Sequence, residues 1–115
     1  MADCIFCKIA NGEIPAKLVK RNTEAVAFHD LTPQAPVHVL VIPTKHYTAL
    51  RDATGKDAEA MLGRLMVFAA QVATELGLDT TGYRLVTNSG PDGGQSVFHL
   101  HLHLLGGRRM AWPPG

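Results

Sequence analysis

The chain has 115 residues, a formal net charge of +1, 46% hydrophobic residues and 18% charged ones. That length suits one domain with a real core and no second domain, and the composition is that of a soluble globular protein. Near-neutral charge with no Lys/Arg cluster longer than a pair excludes a nucleic-acid polymer as partner, and no apolar run approaches the roughly 18 residues of a membrane span. No charged, apolar leader opens the chain, so a cytoplasmic protein is expected.

Cys4 and Cys7 are the only cysteines. Two cysteines three apart are not a secreted disulfide framework. They read as half a zinc site, a redox pair, or two small buried residues. A redox role needs the pair at a helix start after a strand, and no strand precedes it. A zinc site needs two more ligands from distant histidines. Residues 4–9 can make a turn or two of helix before Asn11-Gly12-Glu13-Ile14-Pro15 stops it.

Strands are predicted over 17–20 and 25–30. The run from Val37 to Pro43, bounded by prolines and rich in β-branched residues, predicts a buried strand. Apolar residues at spacings of three and four predict one helix over 56–78, with Met61, Leu62, Leu65, Met66, Phe68, Ala69, Val72, Ala73 and Leu76 on its inner stripe. Thr54 or Asp57 can cap its start, and Gly77 should end it. A further strand is predicted over 83–88, joined by a Gly-rich hairpin connection to a last strand.

That last strand carries the chemistry. Phe98-His99-Leu100-His101-Leu102-His103-Leu104-Leu105 alternates strictly, so Phe98, Leu100, Leu102 and Leu104 should face the core and the three histidines the other side. At about 3.3 Å per residue, neighbouring histidines stand roughly 7 Å apart and the outer two roughly 13 Å apart. With metal–nitrogen bonds of about 2 Å, no single ion binds all three. A row of imidazoles can instead supply a nucleophile, an acid and a hydrogen-bond donor to a phosphate. Gly90, Gly93 and Gly94 just before it suggest a phosphate cradle of exposed amides, with Ser96 as a strand-end hydroxyl. The residues together propose covalent catalysis at phosphorus, with His101 as nucleophile. Strands flanking one substantial helix give an α+β domain with a mostly antiparallel sheet.

His99-Leu100-His101-Leu102-His103 matches the His-x-His-x-His pattern and resembles the histidine triad superfamily. Phe28-His29-Asp30-Leu31-Thr32-Pro33, Gly93-Gly94-Gln95-Ser96-Val97-Phe98 and Trp112-Pro113-Pro114-Gly115 are similar to its nucleotide-binding protein branch. The resemblance spans residues 1–115. It implies a five-stranded sheet with one long and one short N-terminal helix, continued across a homodimer, and a purine nucleoside phosphoramidase acting on AMP- or GMP-type substrates. A dinucleoside polyphosphate hydrolase, or a purine-nucleotide-binding regulator without catalysis, is the alternative.

The same resemblance implies His101 as the residue that becomes nucleotidylated, with Ser96 and His103 donating at the leaving amine and the phosphate. It implies Asn88, Gly94, Gln95 and Ser96 along the ribose-phosphate, Asp30 at the ribose hydroxyls, Leu31 on the purine with His29 nearby, and His38 behind the histidine row. Catalysis of this kind requires no cofactor. A structural zinc on Cys4, Cys7, His46 and His99 is implied by relatives that carry the same cysteine pair, and leaves His99 to face the metal or buttress His101. The tail, with Trp112, is implied to reach the partner's site.

Overall fold

The computed structural model describes residues 3–115. In chain order it contains α1 (Ile5–Ala10), β1 (Leu18–Arg21), β2 (Ala25–His29), β3 (Val37–Pro43), a short 3-10 turn (Leu50–Asp52), α2 (Lys56–Glu75), β4 (Tyr83–Val86) and β5 (Leu102–Gly106). The strands form one antiparallel sheet in the order β1-β2-β3-β5-β4. This is the expected α+β fold, and among the described residues no helix is long and apolar enough to cross a membrane.

Both faces of the sheet are covered, which explains the unbroken apolar run of β3. Val39 and Val41 face α2, together with Ala25, Ala27, Leu100, Leu102 and Leu104. Leu40 and Ile42 face the opposite way, with Val26 and Phe28, against Phe6, Ile9 and Ala10 of α1. Alternating side chains of one strand therefore feed two separate cores. Small residues at 25 and 27 let α2 lie close to the sheet.

The inner stripe of α2 holds Met61, Leu65, Phe68, Ala69, Val72 and Ala73, while Met66 is exposed, contrary to the predicted stripe. Neither predicted cap serves: Gly55 precedes the first turn with φ 93° and no side-chain cap. Gly77 does end the helix, with φ 75°, and the amides of Gly77 and Leu78 close on the carbonyls of Thr74 and Ala73.

The last strand is shorter than predicted. Residues 98–101 leave the ladder beside Pro43, which has no N–H to offer. The Leu100 amide donates instead to the Tyr47 carbonyl at 2.7 Å, and the Thr87 hydroxyl donates to the His101 carbonyl at 2.9 Å. Phe98 is 64% exposed and does not line the core, whereas Leu100, Leu102 and Leu104 do. The histidines are not solvated alike: His99 and His101 are buried beneath α1, while His103 is half-buried.

Candidate functional site

The sheet brings His38, His101 and His103 together. His103 stands opposite Leu40 in the β3–β5 register, so His38, two residues before Leu40, is its diagonal neighbour on the same face. The rings of His101 and His103 are 5.0 Å apart, and those of His38 and His103 are 5.2 Å apart.

Hydrogen bonds assign each ring its tautomer. His101 Nδ1 lies 2.6 Å from the His99 carbonyl oxygen, so Nδ1 donates and Nε2 keeps its lone pair. The Gln34 amide donates to His38 Nδ1 at 3.0 Å, so the proton of His38 sits on Nε2. That Nε2–H donates to His103 Nδ1 at 2.9 Å, which leaves His103 with its proton on Nε2. Two adjacent imidazoles thus present opposite groups: a lone pair on His101 and an N–H on His103. Burial, reinforced by the neighbouring His101 and His38, pushes the His103 pKa down to about 4. Burial lowers His38 as well, against the pull of the Asp30 carboxylate 3.5 Å away.

A second cluster lies on the other side of His99. Cys4 Sγ, Cys7 Sγ, His46 Nδ1 and His99 Nδ1 all lie within 4.8 Å of one another. The separations are 3.3 Å for Cys4 to His99, 3.5 Å for Cys7 to His99, 3.3 Å for Cys7 to His46 and 3.1 Å between the two imidazoles. Tetrahedral coordination with bonds of about 2.0 Å to nitrogen and 2.3 Å to sulfur has edges of about 3.3–3.8 Å. His99 Nε2 donates to the Pro43 carbonyl at 2.9 Å, which leaves Nδ1 unprotonated and ready to ligate. Burial lowers the His99 and His46 pKa values, favouring the neutral ligand form. It raises that of the Cys7 thiol, a proton that a bound metal displaces. The donor set fits zinc.

Asp30, His38 and His103 are also close enough to share an ion. Their hydrogen bonding argues against it. Because the Gln34 amide occupies His38 Nδ1, an ion on Nε2 would require an imidazolate or the loss of that backbone bond. The two imidazoles instead relay a hydrogen bond from the Gln34 amide through His38 to His103.

Next to the histidines is a cavity of about 270 Å³ walled by Ile5, Phe6, Ile9, Phe28, Leu40 and Val97. A more polar cleft of about 420 Å³ adjoins it, sharing Lys17, His29, Asp30 and Leu31 and reaching His38. Leu31 is 91% exposed at this shared rim. Lys17 and the Ile5–Phe6–Ile9 wall were not singled out in the sequence, where only their later contact with β2 would have marked them. Asp30 also forms a local turn, its Oδ1 accepting from the Thr32 amide at 2.8 Å.

Three amides of the glycine loop are engaged within it. The amides of Gly94 and Gln95 donate to the carbonyls of Pro91 and Gly90, and the Gly90 amide donates to Gln95 Oε1. Gln95 is buried, with Nε2 donating to the Thr48 and Val97 carbonyls at 2.7 and 3.1 Å. Asn88 Nδ2 donates to the Gly93 carbonyl. These residues brace the loop, and Ser96 stands exposed in the connection rather than at a strand end. Trp112 is 82% exposed, while the tail is held at Ala111 by Arg84.

A sheet whose last strand is entered through buried His99 and His101 and carries half-buried His103, beside a short helix, defines a class, and the HIT domain pattern matches residues 11–110. The chain belongs to the HIT domain family. Among solved structures, a HIT family hydrolase from Legionella pneumophila is 50% identical with a TM-score of 0.94, covering 98% of this chain and 100% of that one. A histidine triad nucleotide-binding protein from Candida albicans is 31% identical with a TM-score of 0.82, over 96% of this chain and 83% of that one. A 14 kDa zinc-binding protein from Brassica juncea is 49% identical over 115 residues, 98% of this chain and 100% of the relative.

Proposed function

We propose that the protein is a hydrolase of nucleoside phosphoramidates, cleaving the P–N bond of an AMP- or GMP-type substrate through a nucleotidyl-histidine intermediate. The observation that carries this reading is the pair of opposed tautomers, His101 with a free Nε2 lone pair and His103 with an Nε2–H. The similarity to a HIT family hydrolase and to a nucleotide-binding histidine triad protein supports it.

In the first step His101 Nε2 forms a bond to phosphorus and the P–N bond breaks. The imidazole becomes cationic, and the His99 carbonyl, 2.6 Å from Nδ1–H, stabilises that charge. His103 donates Nε2–H to a phosphoryl oxygen and keeps its proton, since losing it would leave an anionic ring. The departing amine takes its proton through the Ser96 hydroxyl, which is exposed to solvent. Water then attacks phosphorus and gives up a proton to solvent through the Ser96 hydroxyl, the reverse of the path that protonated the amine, while the P–Nε2 bond breaks and neutral His101 is restored.

The apolar cavity suits a purine, stacked among Ile5, Phe6, Ile9 and Phe28, with Leu31 and His29 at its rim. Asp30 Oδ2, on the side away from the Thr32 amide, accepts from ribose hydroxyls. Asn88, Gly94 and Gln95 act by holding the loop that carries Ser96. Zinc, when bound by Cys4, Cys7, His46 and His99, supplies a structural cross-link, and the Brassica juncea relative named for zinc binding supports that assignment. Two ligand thiols favour a reducing, cytoplasmic setting. The reading includes a homodimer with the sheet continued between copies: β4 is an open sheet edge, and Met66 and Val67 of α2 are exposed.

Turnover of an adenosine 5′-phosphoramidate compared with a dinucleoside polyphosphate tests the reaction. Faster release of amine, with a trapped adduct on His101, supports the proposal. Preference for the polyphosphate overturns the substrate class, and tight binding without turnover of either overturns the enzyme.

A further inference from the structure

The Cys4-Ile5-Phe6-Cys7 turn belongs to two sites at once. Its sulfurs are half of the metal donor set, while Ile5 and Phe6 wall the apolar cavity. The buried Phe6 ring meets His101 edge-on at 5.2 Å and 88°, His99 at 5.9 Å and 71°, and Phe28 at 5.5 Å and 74°. Cys4 also starts the helix, its Sγ accepting from the Cys7 amide at 3.3 Å.

The six residues of α1 are too few to form a stable helix alone. What holds it is burial of Phe6, Ile9 and Ala10, one bond from Arg21 to the Ala10 carbonyl at 2.9 Å, and the donor set with His46 and His99. At six residues, held by side-chain burial and the donor set, α1 is the part of the site with the least local support.

We propose that metal loading at Cys4, Cys7, His46 and His99 is energetically coupled to nucleotide binding in the apolar cavity, with Phe6 as the positioning residue that links them. A loaded metal fastens both ends of the Cys4-to-Cys7 turn, which seats Phe6 against Phe28 and His101 and completes the cavity wall. Without it, α1 loosens and the wall must be ordered by the nucleotide itself, which weakens binding. Linkage is reciprocal, so a bound nucleotide tightens the metal by the same factor. The inference rests on the nucleotide reading given above.

Adenosine 5′-monophosphate is the probe, titrated by calorimetry into the zinc-loaded full chain and into the same protein stripped by chelator. Stripping should weaken binding about tenfold, and saturating AMP should raise zinc affinity by an equal factor. Amide exchange should show residues 5–10 losing protection on stripping while the strands keep theirs. Phe6→Leu should retain one zinc per chain by elemental analysis and bring the loaded-to-stripped affinity ratio close to one.

Equal AMP affinity with and without zinc overturns the coupling and leaves the nucleotide reading intact. A wild-type ratio in Phe6→Leu overturns the role of Phe6. Unfolding of the whole sheet on stripping also overturns the inference, since the metal would then hold the fold rather than the helix. If the zinc-loaded protein binds no AMP, the nucleotide reading itself fails.

Discussion

His101 Nδ1 lies 2.6 Å from the main-chain carbonyl of His99, while the ring of His99 turns into the donor set with Cys4, Cys7 and His46. One residue thus serves the nucleophile with its backbone and a metal with its side chain. The division is possible because the ring and the carbonyl leave the chain in different directions.

His101→Ala removes the attacking nitrogen. Turnover of an adenosine phosphoramidate should fall by about 10³-fold or more, with AMP still bound, and no adduct should be trapped on the protein. Retention of the wild-type rate would exclude the covalent route.

His38→Ala removes the donor that fixes the His103 tautomer. Expected is a fall in kcat of roughly 10²-fold with little change in KM, because the lost interaction matters most as charge develops on phosphate. Nitrogen chemical shifts by NMR should show His103 leaving its single tautomer; an unchanged His103 spectrum would refute the relay from Gln34 through His38.

Acid should destabilise the fold through the histidines. The pKa of His103 falls from an ordinary 6.5 to about 4 in the folded state, so the unfolded chain binds more protons across that window. Its contribution is full above about pH 6.5 and is lost as the pH drops toward 4. The urea midpoint should hold steady from about pH 8 to pH 7 and decline below about pH 6.5, less steeply in His103→Asn. Identical slopes in the two proteins would place the acid sensitivity elsewhere.

Cys7→Ser removes one of the four donors. Zinc content should drop well below one per chain and Tm by roughly 5–10 °C, a loss of about 1–2 kcal/mol. Chelation should lower the wild-type Tm by a similar amount and leave the variant unchanged. A chelator effect of equal size in both would show that Cys7 does not ligate.

Gly93→Ala places a methyl group 2.6 Å from the Ser89 carbonyl oxygen and 2.9 Å from its nitrogen. Backbone atoms cannot step aside as a side chain would. The substitution should cost about 1–3 kcal/mol, and the displaced Ser96 should lower kcat. Denaturant titration beside steady-state kinetics measures both.

Much of the fold was legible because periodicity reports burial. The spacing of Met61, Leu65, Phe68 and Val72 marked α2, and the run Val39 to Ile42 marked a strand buried on both faces. Met66 misled because an apolar residue on a helix has no feature announcing which side is packed. Phe98 misled for a related reason: alternation continued, but the ladder ended beside Pro43, a residue more than fifty positions away.

The amino-acid sequence by itself determined the histidine row, its alternation and the cysteine spacing, since these depend only on residue type and a period of two. Which nitrogen of each ring holds a proton was decided by tertiary structure alone. The deciding partners, the Gln34 amide, the Pro43 carbonyl and the His99 carbonyl, are backbone groups that every sequence has and only a fold can aim. Likewise the glycine loop held the same residues whether open or closed. Its amides at Gly90, Gly94 and Gln95, bonded to Gln95, Pro91 and Gly90, were assigned to bracing by the fold alone, because a donor already paired within the loop has no hydrogen left for a phosphate.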